Sequence, residues 1–411
     1  MSAQHLPRRM AVVVFLAFAL AYFFSALVRA ITATLSPVLT QELQLQASDL
    51  GLLAGGYFLG FSLTQLPLGR WLDRYGPRRV ILAFLSVAVL GCFAFAQADS
   101  FAGLLLARVL CGVGVSACLM APLTGYRRWF NASTQLRTNS WMLMTGSLGM
   151  VAATLPVQWL LPLWGWRALF VAMAVCIALS MLAIRLLVPD WQRSEPTATA
   201  ALDDGGYSEV WRSRYFWRMT PLGFFSYGGM VAIQTLWAGP WMTQVAGWTP
   251  LASATGLFII NLSMLLSFWV WGWVTPGLAR RGIHADQLIA RGLPLSLLVL
   301  AALVFIGPAS GAGAAALLAA FCVSSTFVSL AQPAVGMAFA PHLAGRALSA
   351  YNLVIFAGIF VVQWGIGLAV DLARSLGLDT AAAYQAAFGA FGICSLLSWL
   401  FFRLFRTDNV A

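Results

Sequence analysis

The chain contains no lysine, and acidic residues are scarce: 13 Asp and Glu stand against 24 basic residues, all arginine, in 411 residues. Only 9% of residues are charged, while 61% are hydrophobic. Soluble domains carry roughly 25% charged residues, so a water-facing globule is excluded and lipid is the main solvent. The arginines sit in short loops between apolar runs and not along a polar face, which excludes the nucleic-acid reading that a pI near 10.0 would invite. Cysteine is sparse and shows no paired spacing. Cys92, Cys111, Cys118, Cys176, Cys322 and Cys394 all fall in apolar runs and read as small reduced packing residues, not as a disulfide or metal framework. Histidine is limited to His5, His284 and His342, all at loops or ends. With no nucleotide loop, metal cluster or nucleophile paired with a base, neither an enzyme nor a cofactor is expected.

What is present is apolar length. Stretches of about 20 residues, as a bilayer core requires, recur about twelve times. The expected spans are 11–38, 49–69, 79–97, 101–125, 138–161, 166–188, 216–241, 251–276, 287–307, 311–335, 346–371 and 382–405. The first follows two arginines, as a secretory signal would, but runs from about Met10 to Leu39 without a small-residue cleavage site and is read as retained. The long polar interruption, 189–214, reads as a linker between an N-terminal six-helix bundle (1–188) and a C-terminal one (215–411). Arginines at 8, 9, 70–79, 127, 128, 137, 193, 212–218, 280, 281, 346, 403 and 406 fall on one side if the spans alternate. The other side holds Glu42, Asp49, Asp99 and Asp379, with Arg167 and Arg374 as basic exceptions. Both termini are therefore expected in the cytoplasm.

Between the second and third runs lies Gly69-Arg70-Trp71-Leu72-Asp73-Arg74-Tyr75-Gly76-Pro77-Arg78-Arg79. Gly69 and Gly76 suit a tight reversal, and four arginines around one aspartate hold it at the surface. This pattern resembles the signature loop of the major facilitator superfamily of secondary transporters. The stretch Gly272, Pro276, Gly277, Arg280, Arg281, Gly282 resembles a degenerate second copy without the aspartate. The resemblance implies an all-α membrane fold of twelve helices in two pseudo-symmetric six-helix bundles, with a site at their interface lined by spans one, four, seven and ten.

In span one, Tyr22, Ser25, Arg29, Thr32 and Ser36 are spaced 3, 4, 3 and 4 apart and share one face. Such a polar stripe avoids lipid. An arginine at mid-span costs at least about 2.5 kcal/mol and is usually functional. No Asp or Glu lies well inside any span, so its counter-ion is most simply the cargo. The alternative is that Arg29 braces the two halves through helix carbonyls. The stretch Ala21 to Ser25 with Arg29 also resembles the first helix of organophosphate:phosphate antiporters, where a mid-membrane arginine binds phosphate. Span seven lacks the second clamping arginine of those proteins. It presents Tyr227, Met230, Gln234, Trp237 and Trp241 instead, with Trp237 expected in the cavity and Trp241 in the interfacial belt.

Tyr57, Gln65, Asn261, Gln332, Asn352 and Gln363 are further lone polar residues, each either a cavity residue or an interhelical hydrogen bond. Cys322, Ser325 and Ser329 read as small-residue packing. Arg108 with Gly112 and Gly114 resembles the superfamily's arginine-and-glycine motif in span four, where a structural hydrogen bond onto neighbouring helix ends is expected. Asp73, with Gly69, Arg74, Gly76, Arg78, Arg79 and Arg108, reads as a gate latch that breaks on opening.

The expected function is transport of a small organic anion, a carboxylate or phosphate ester, by alternating access around Arg29. Coupling would be by exchange, facilitated diffusion or a proton carried on the cargo. A drug or metabolite exporter is the alternative, although span five lacks the Gly-Pro-x-x-x-Gly element of proton-driven drug exporters. A nitrate-type porter would place arginines in spans two and eight, and a non-transporting sensor would need a larger cytoplasmic region. The expected partners are a small, anionic substrate and the lipid bilayer, with the chain a monomer. The arginine-for-lysine bias and abundant alanine point to a bacterial, GC-rich genome and hence to the inner membrane.

Overall fold

A computed structural model describes residues 6–190, 206–306, 311 and 313–405. Most of the linker (191–205), His5 and Arg406 lie outside the described residues. So does the side chain of His342. The described chain is helical throughout. Among the described residues, nine helices are long and apolar enough to cross a membrane: Arg8–Leu43, Pro77–Gln97, Phe101–Trp129, Leu155–Leu187, Pro250–Thr275, Ala285–Ile306, Gly313–Met337, Leu343–Ser375 and Thr380–Leu404.

Three further stretches expected to span are broken or more polar. The second is α2 (Ala47–Leu63) followed by α3 (Gln65–Tyr75), after α1 (Arg8–Leu43). Pro67 cannot donate to the Leu63 carbonyl. The Thr64 hydroxyl and Gln65 amide both reach back to the Phe61 carbonyl, at 2.9 and 3.2 Å. Gln65 is thus consumed by a helix break. The reversal after α3 is much shorter than the eleven-residue loop expected from sequence. Helix persists to Tyr75, Gly76 alone turns with φ 79°, and α4 (Pro77–Gln97) starts at once. Gly69 sits inside α3 with no atom near its would-be Cβ, so it permits no close approach. Gly282 in the second half also adopts positive φ, at 73°, matching the degenerate repeat.

The fourth stretch is α5 (Phe101–Val115) and α6 (Ala117–Trp129), broken at Ser116, whose hydroxyl bonds the Val113 carbonyl at 2.8 Å. Then come α7 (Ala132–Ala152) and α8 (Leu155–Leu187), the latter bent at Gly165 with φ 72°. After α9 (Gly206–Arg212), the seventh stretch comprises α10 (Arg214–Pro221), α11 (Gly228–Ala232) and α12 (Ala238–Pro240). Wide π-helical turns at Leu222–Tyr227, Ile233–Trp237 and Trp241–Val245 separate and follow these pieces. Next are α13 (Pro250–Arg280), α14 (Ala285–Ile306), α15 (Gly313–Ser325), α16 (Ala331–Met337), α17 (Pro341–Ser375) and α18 (Thr380–Leu404).

Within the first half, α1 packs on α7 and α8, and α4 on α5 and α8; within the second, α14 packs on α15 and α18. The halves meet chiefly where α2 lies along α17. That seam is close because Gly51 leaves no side chain. A Cβ there would stand 2.5 Å from the Gln363 carbonyl and 3.2 Å from the Trp237 ring. Cys92 and Cys111, read from sequence as small reduced packing residues, face each other across α4 and α5 with sulfurs 3.7 Å apart, both buried and free.

Candidate functional site

The polar stripe of α1 faces the seam between the halves. Pro37 leaves the Ala33 carbonyl without its helical donor, and the Ser36 hydroxyl supplies one at 2.8 Å, so Ser36 is taken up within its own helix. The same carbonyl lies 2.8 Å from a would-be Cβ on Gly239, which brings the seventh stretch against α1.

Arg29 is half-buried, with its charge within electrostatic reach of the phenols of Tyr57, Tyr22 and Tyr227. Its guanidinium carbon lies 5.8 Å from the Phe61 ring centre and 5.9 Å from that of Phe356. Those two rings, one from each half, stack 4.0 Å apart at 24°. No carboxylate pairs with Arg29 among the described residues. Its Nε is buried without a hydrogen-bond partner, as is the Ser25 hydroxyl. The Tyr57 hydroxyl donates to the Ser25 carbonyl at 3.3 Å.

Arg108 is fully buried, and one of its terminal nitrogens donates to the Val28 carbonyl at 2.9 Å. It therefore braces α1 one residue before Arg29, at mid-helix and not at the helix ends expected from sequence. Its guanidinium is covered by the Tyr57 ring at 5.2 Å.

The remaining predicted residues form separate pairs. Gln234 donates to Asn261 at 3.0 Å, and Asn261 to the Leu257 carbonyl at 2.9 Å. The Trp237 indole donates to the Gln363 carbonyl at 3.0 Å, while the Gln363 amide donates to Thr235 at 3.1 Å. Trp237 is fully buried in the seam, so it offers no stacking face here. Gln332 donates to Asn352 at 2.6 Å. Trp241, expected at the lipid interface, is instead fully buried, with its ring 4.6 Å from that of Phe388.

At the arginine-rich face, Asp73 is exposed but partly desolvated, which pushes its carboxyl above the usual range against the pull of Arg127 and Arg346. Of the arginines of its own segment, Arg78 pairs with Asp190 at 2.6 Å and the Arg185 carbonyl at 2.6 Å and Arg74 lies over Tyr75, while Arg79 is exposed. Tyr207, on α9, donates to the Leu66 carbonyl at 3.2 Å and receives Arg70 over its ring.

At the opposite face, Asp371 of α17 accepts the backbone N–H groups of Ala47 at 3.1 Å and Ser48 at 2.7 Å. These open α2, so an acid of the second half caps a helix of the first. On that face Glu42 accepts from Arg167, and from the Trp166 indole at 2.7 Å. The Arg167 guanidinium, then Trp166, holds the Glu42 carboxyl below its ordinary range. Arg167 also reaches Asp99 at 3.3 Å, so this basic exception is matched by acids.

Sequence reasoning missed Phe61, Phe356, Tyr207 and the Asp371 contact. The phenylalanines gave no signal in apolar helices; Asp371 was one of several acids near span ends, with nothing to mark it from the others.

A family model described as Major Facilitator Superfamily matches residues 18–363. The probable L-galactonate transporter of Escherichia coli (strain K12) is 23% identical over 221 residues, 52% of this chain and 47% of that protein. The 4-hydroxybenzoate transporter PcaK of Acinetobacter baylyi is 27% identical over 39% of this chain and 35% of its own. A chloramphenicol efflux pump of Mycobacterium tuberculosis is 28% identical over 39% of this chain and 40% of its own. The chain thus spans less than half the length of these relatives. Among solved structures, a bacterial homolog of the human lysosomal transporter Spinster, inward-facing and unoccupied, superposes with a TM-score of 0.77 at 17% identity, over 97% of this chain and 98% of that one. At that identity the likeness speaks for the fold alone.

Proposed function

The chain belongs to the Major Facilitator Superfamily, and on that footing we propose that it carries a small organic anion, a carboxylate or phosphate ester, across a bacterial inner membrane by alternating access. It spans twelve times as two six-helix bundles, 1–188 and 215–411, joined by 189–214, with both termini cytoplasmic. The observation that carries this reading is Arg29: a guanidinium at the seam between the halves, ringed by Tyr22, Tyr57 and Tyr227, with no ion pair among the described residues. Arginine stays protonated in nearly any protein setting, so an arriving anion meets a permanent, unspent charge. The relatives named for galactonate and 4-hydroxybenzoate transport support an anionic cargo. Asp73 with Arg127 and Arg346 forms the cytoplasmic latch, and Arg108 holds α1 in place beneath Arg29.

Drug export is the second reading, favoured by the chloramphenicol-pump relative and by the aromatic lining. Thermal stabilisation of the purified protein separates the two, because a ligand that binds the folded form raises its melting temperature. Carboxylates or phosphate esters are expected to stabilise the wild type and not Arg29→Ala. Stabilisation by lipophilic cations or neutral drugs alone, or equal response of the variant, would put export first.

A further inference from the structure

We propose that the cargo is an aromatic monocarboxylate, its single carboxylate held by Arg29 and its flat ring laid against Phe61 and Phe356. This deepens the anion-transport reading and presupposes that Arg29 is the anion site. Three observations converge on it.

The first is charge. At the seam Arg29 stands alone among the described residues, since Arg108, the other deep arginine, is buried behind the Tyr57 ring, bonded to the Val28 carbonyl, and has the thiols Cys111 and Cys92 as its electrostatic neighbours inside the first half. A dianion, such as a phosphate ester or dicarboxylate, would bring one charge that nothing at the seam neutralises, and an unpaired buried charge is heavily penalised.

The second is the lining. Tyr22, Tyr57, Tyr227, Phe61 and Phe356 surround the guanidinium. Phe356 is half-buried, leaving ring surface for an offset-stacked guest. The cation beside both rings sets the distance at which a carboxylate and its attached ring meet their partners together.

The third is what the amides are doing. A polyhydroxylated acid needs side chains free to exchange hydrogen bonds with its hydroxyls. Gln234 donates to Asn261, Gln332 to Asn352 and Gln363 to Thr235. With these amides taken as donors, a sugar acid would have only the Ser25 hydroxyl, the Gln363 side-chain oxygen and the phenols around Arg29 to read its hydroxyls, whereas an aromatic ring leaves the amide pairs intact.

The test is equilibrium binding of benzoate, cyclohexanecarboxylate, gluconate and phthalate to the full chain in detergent, for wild type, Arg29→Gln and Phe356→Leu, with Phe61→Leu as the equivalent from the other half should Phe356→Leu not fold. Benzoate is expected to bind about two- to twelvefold tighter than cyclohexanecarboxylate, the share an aromatic pair contributes beyond area burial. Phe356→Leu should erase that preference while both monocarboxylates still bind, and Arg29→Gln should abolish binding of all four. Gluconate binding as tightly as benzoate would overturn the aromatic assignment, phthalate doing so would overturn the single-carboxylate assignment, and either would leave the anion reading standing. A preference for benzoate that survives loss of either ring would likewise overturn the aromatic assignment alone. Absence of Arg29-dependent binding by any of the four would overturn both.

Discussion

Asp371→Ala should release the face of the molecule opposite the arginine-rich one. The native carboxylate accepts two backbone N–H groups at the start of α2, at 2.7 and 3.1 Å, and is itself only half-buried. Hydrogen bonds to a charged group contribute about 1.5–3 kcal/mol each, and partial exposure argues for the lower end. Losing both shifts the balance by about 3 kcal/mol, or roughly 100-fold in the ratio of closed to open forms at that face. Asp371→Asn keeps one acceptor and should lose about half, roughly tenfold.

Spin labels on Gln44→Cys and Leu251→Cys, at exposed ends of α1 and α13, report the separation of the halves; the native cysteines are buried or half-buried. Asp371→Ala should move the distance distribution outward, with Asp371→Asn between it and the wild type. Asp49→Asn is the control, because Asp49 caps the same helix from within its own half by accepting the Gln46 N–H at 3.1 Å. An unchanged distribution in folded Asp371→Ala, or an equal shift in Asp49→Asn, would refute the idea that the inter-half cap holds this face closed.

Two further outcomes follow from the geometry. Arg108→Met removes the charged donor to the Val28 carbonyl and should lower stability by about 1–3 kcal/mol, read as a drop in melting temperature, whereas Arg29→Met should leave stability near wild type and remove anion binding. The Glu42 carboxyl is held low by Arg167 and Trp166, so its stabilisation is fully present above the ordinary glutamate pKa of about 4.3 and is lost as pH falls below that toward the folded value. Because the pair is 39–40% exposed, screening keeps the effect under about 1 kcal/mol, and Glu42→Gln should flatten the melting-temperature slope from about pH 5 to about pH 3.

The face of α1 carrying Tyr22, Ser25 and Arg29 was legible because polar residues at helical spacing on an apolar helix have to share one side, whatever packs against them. Their meeting with Tyr57 and Tyr227 was not, since it depends on how three helices cross. The lone amides of sequence turn out to be pairs, Gln234 with Asn261 and Gln332 with Asn352, and a bond between two helices leaves no trace in either one's spacing. Phe61 and Phe356 were invisible for the opposite reason: an aromatic residue in an apolar run is ordinary until its neighbours are known. The glycine-flanked signature suggested an open loop where helix continues to Tyr75, because the amphipathic charges of 70–75 suit an exposed helical turn as well as a loop. Trp241 was assigned to the interface by residue type, but its indole packs against Phe388.

The wide turns of the seventh stretch bear on which changes in chain length the protein tolerates. A π turn is an α-helix holding one additional residue while the segments on either side keep their register. Removing one residue from Ile233–Trp237 or Trp241–Val245 would leave plain α-helix and preserve the faces beyond it. The same deletion in α4 or α14 would swing everything downstream by about 100° and turn lipid-facing side chains into the bundle. The seventh stretch is thus a place where insertions and deletions of single residues can accumulate without refolding the transporter, and where the depth of a side chain such as Tyr227 relative to Arg29 can be retuned one residue at a time.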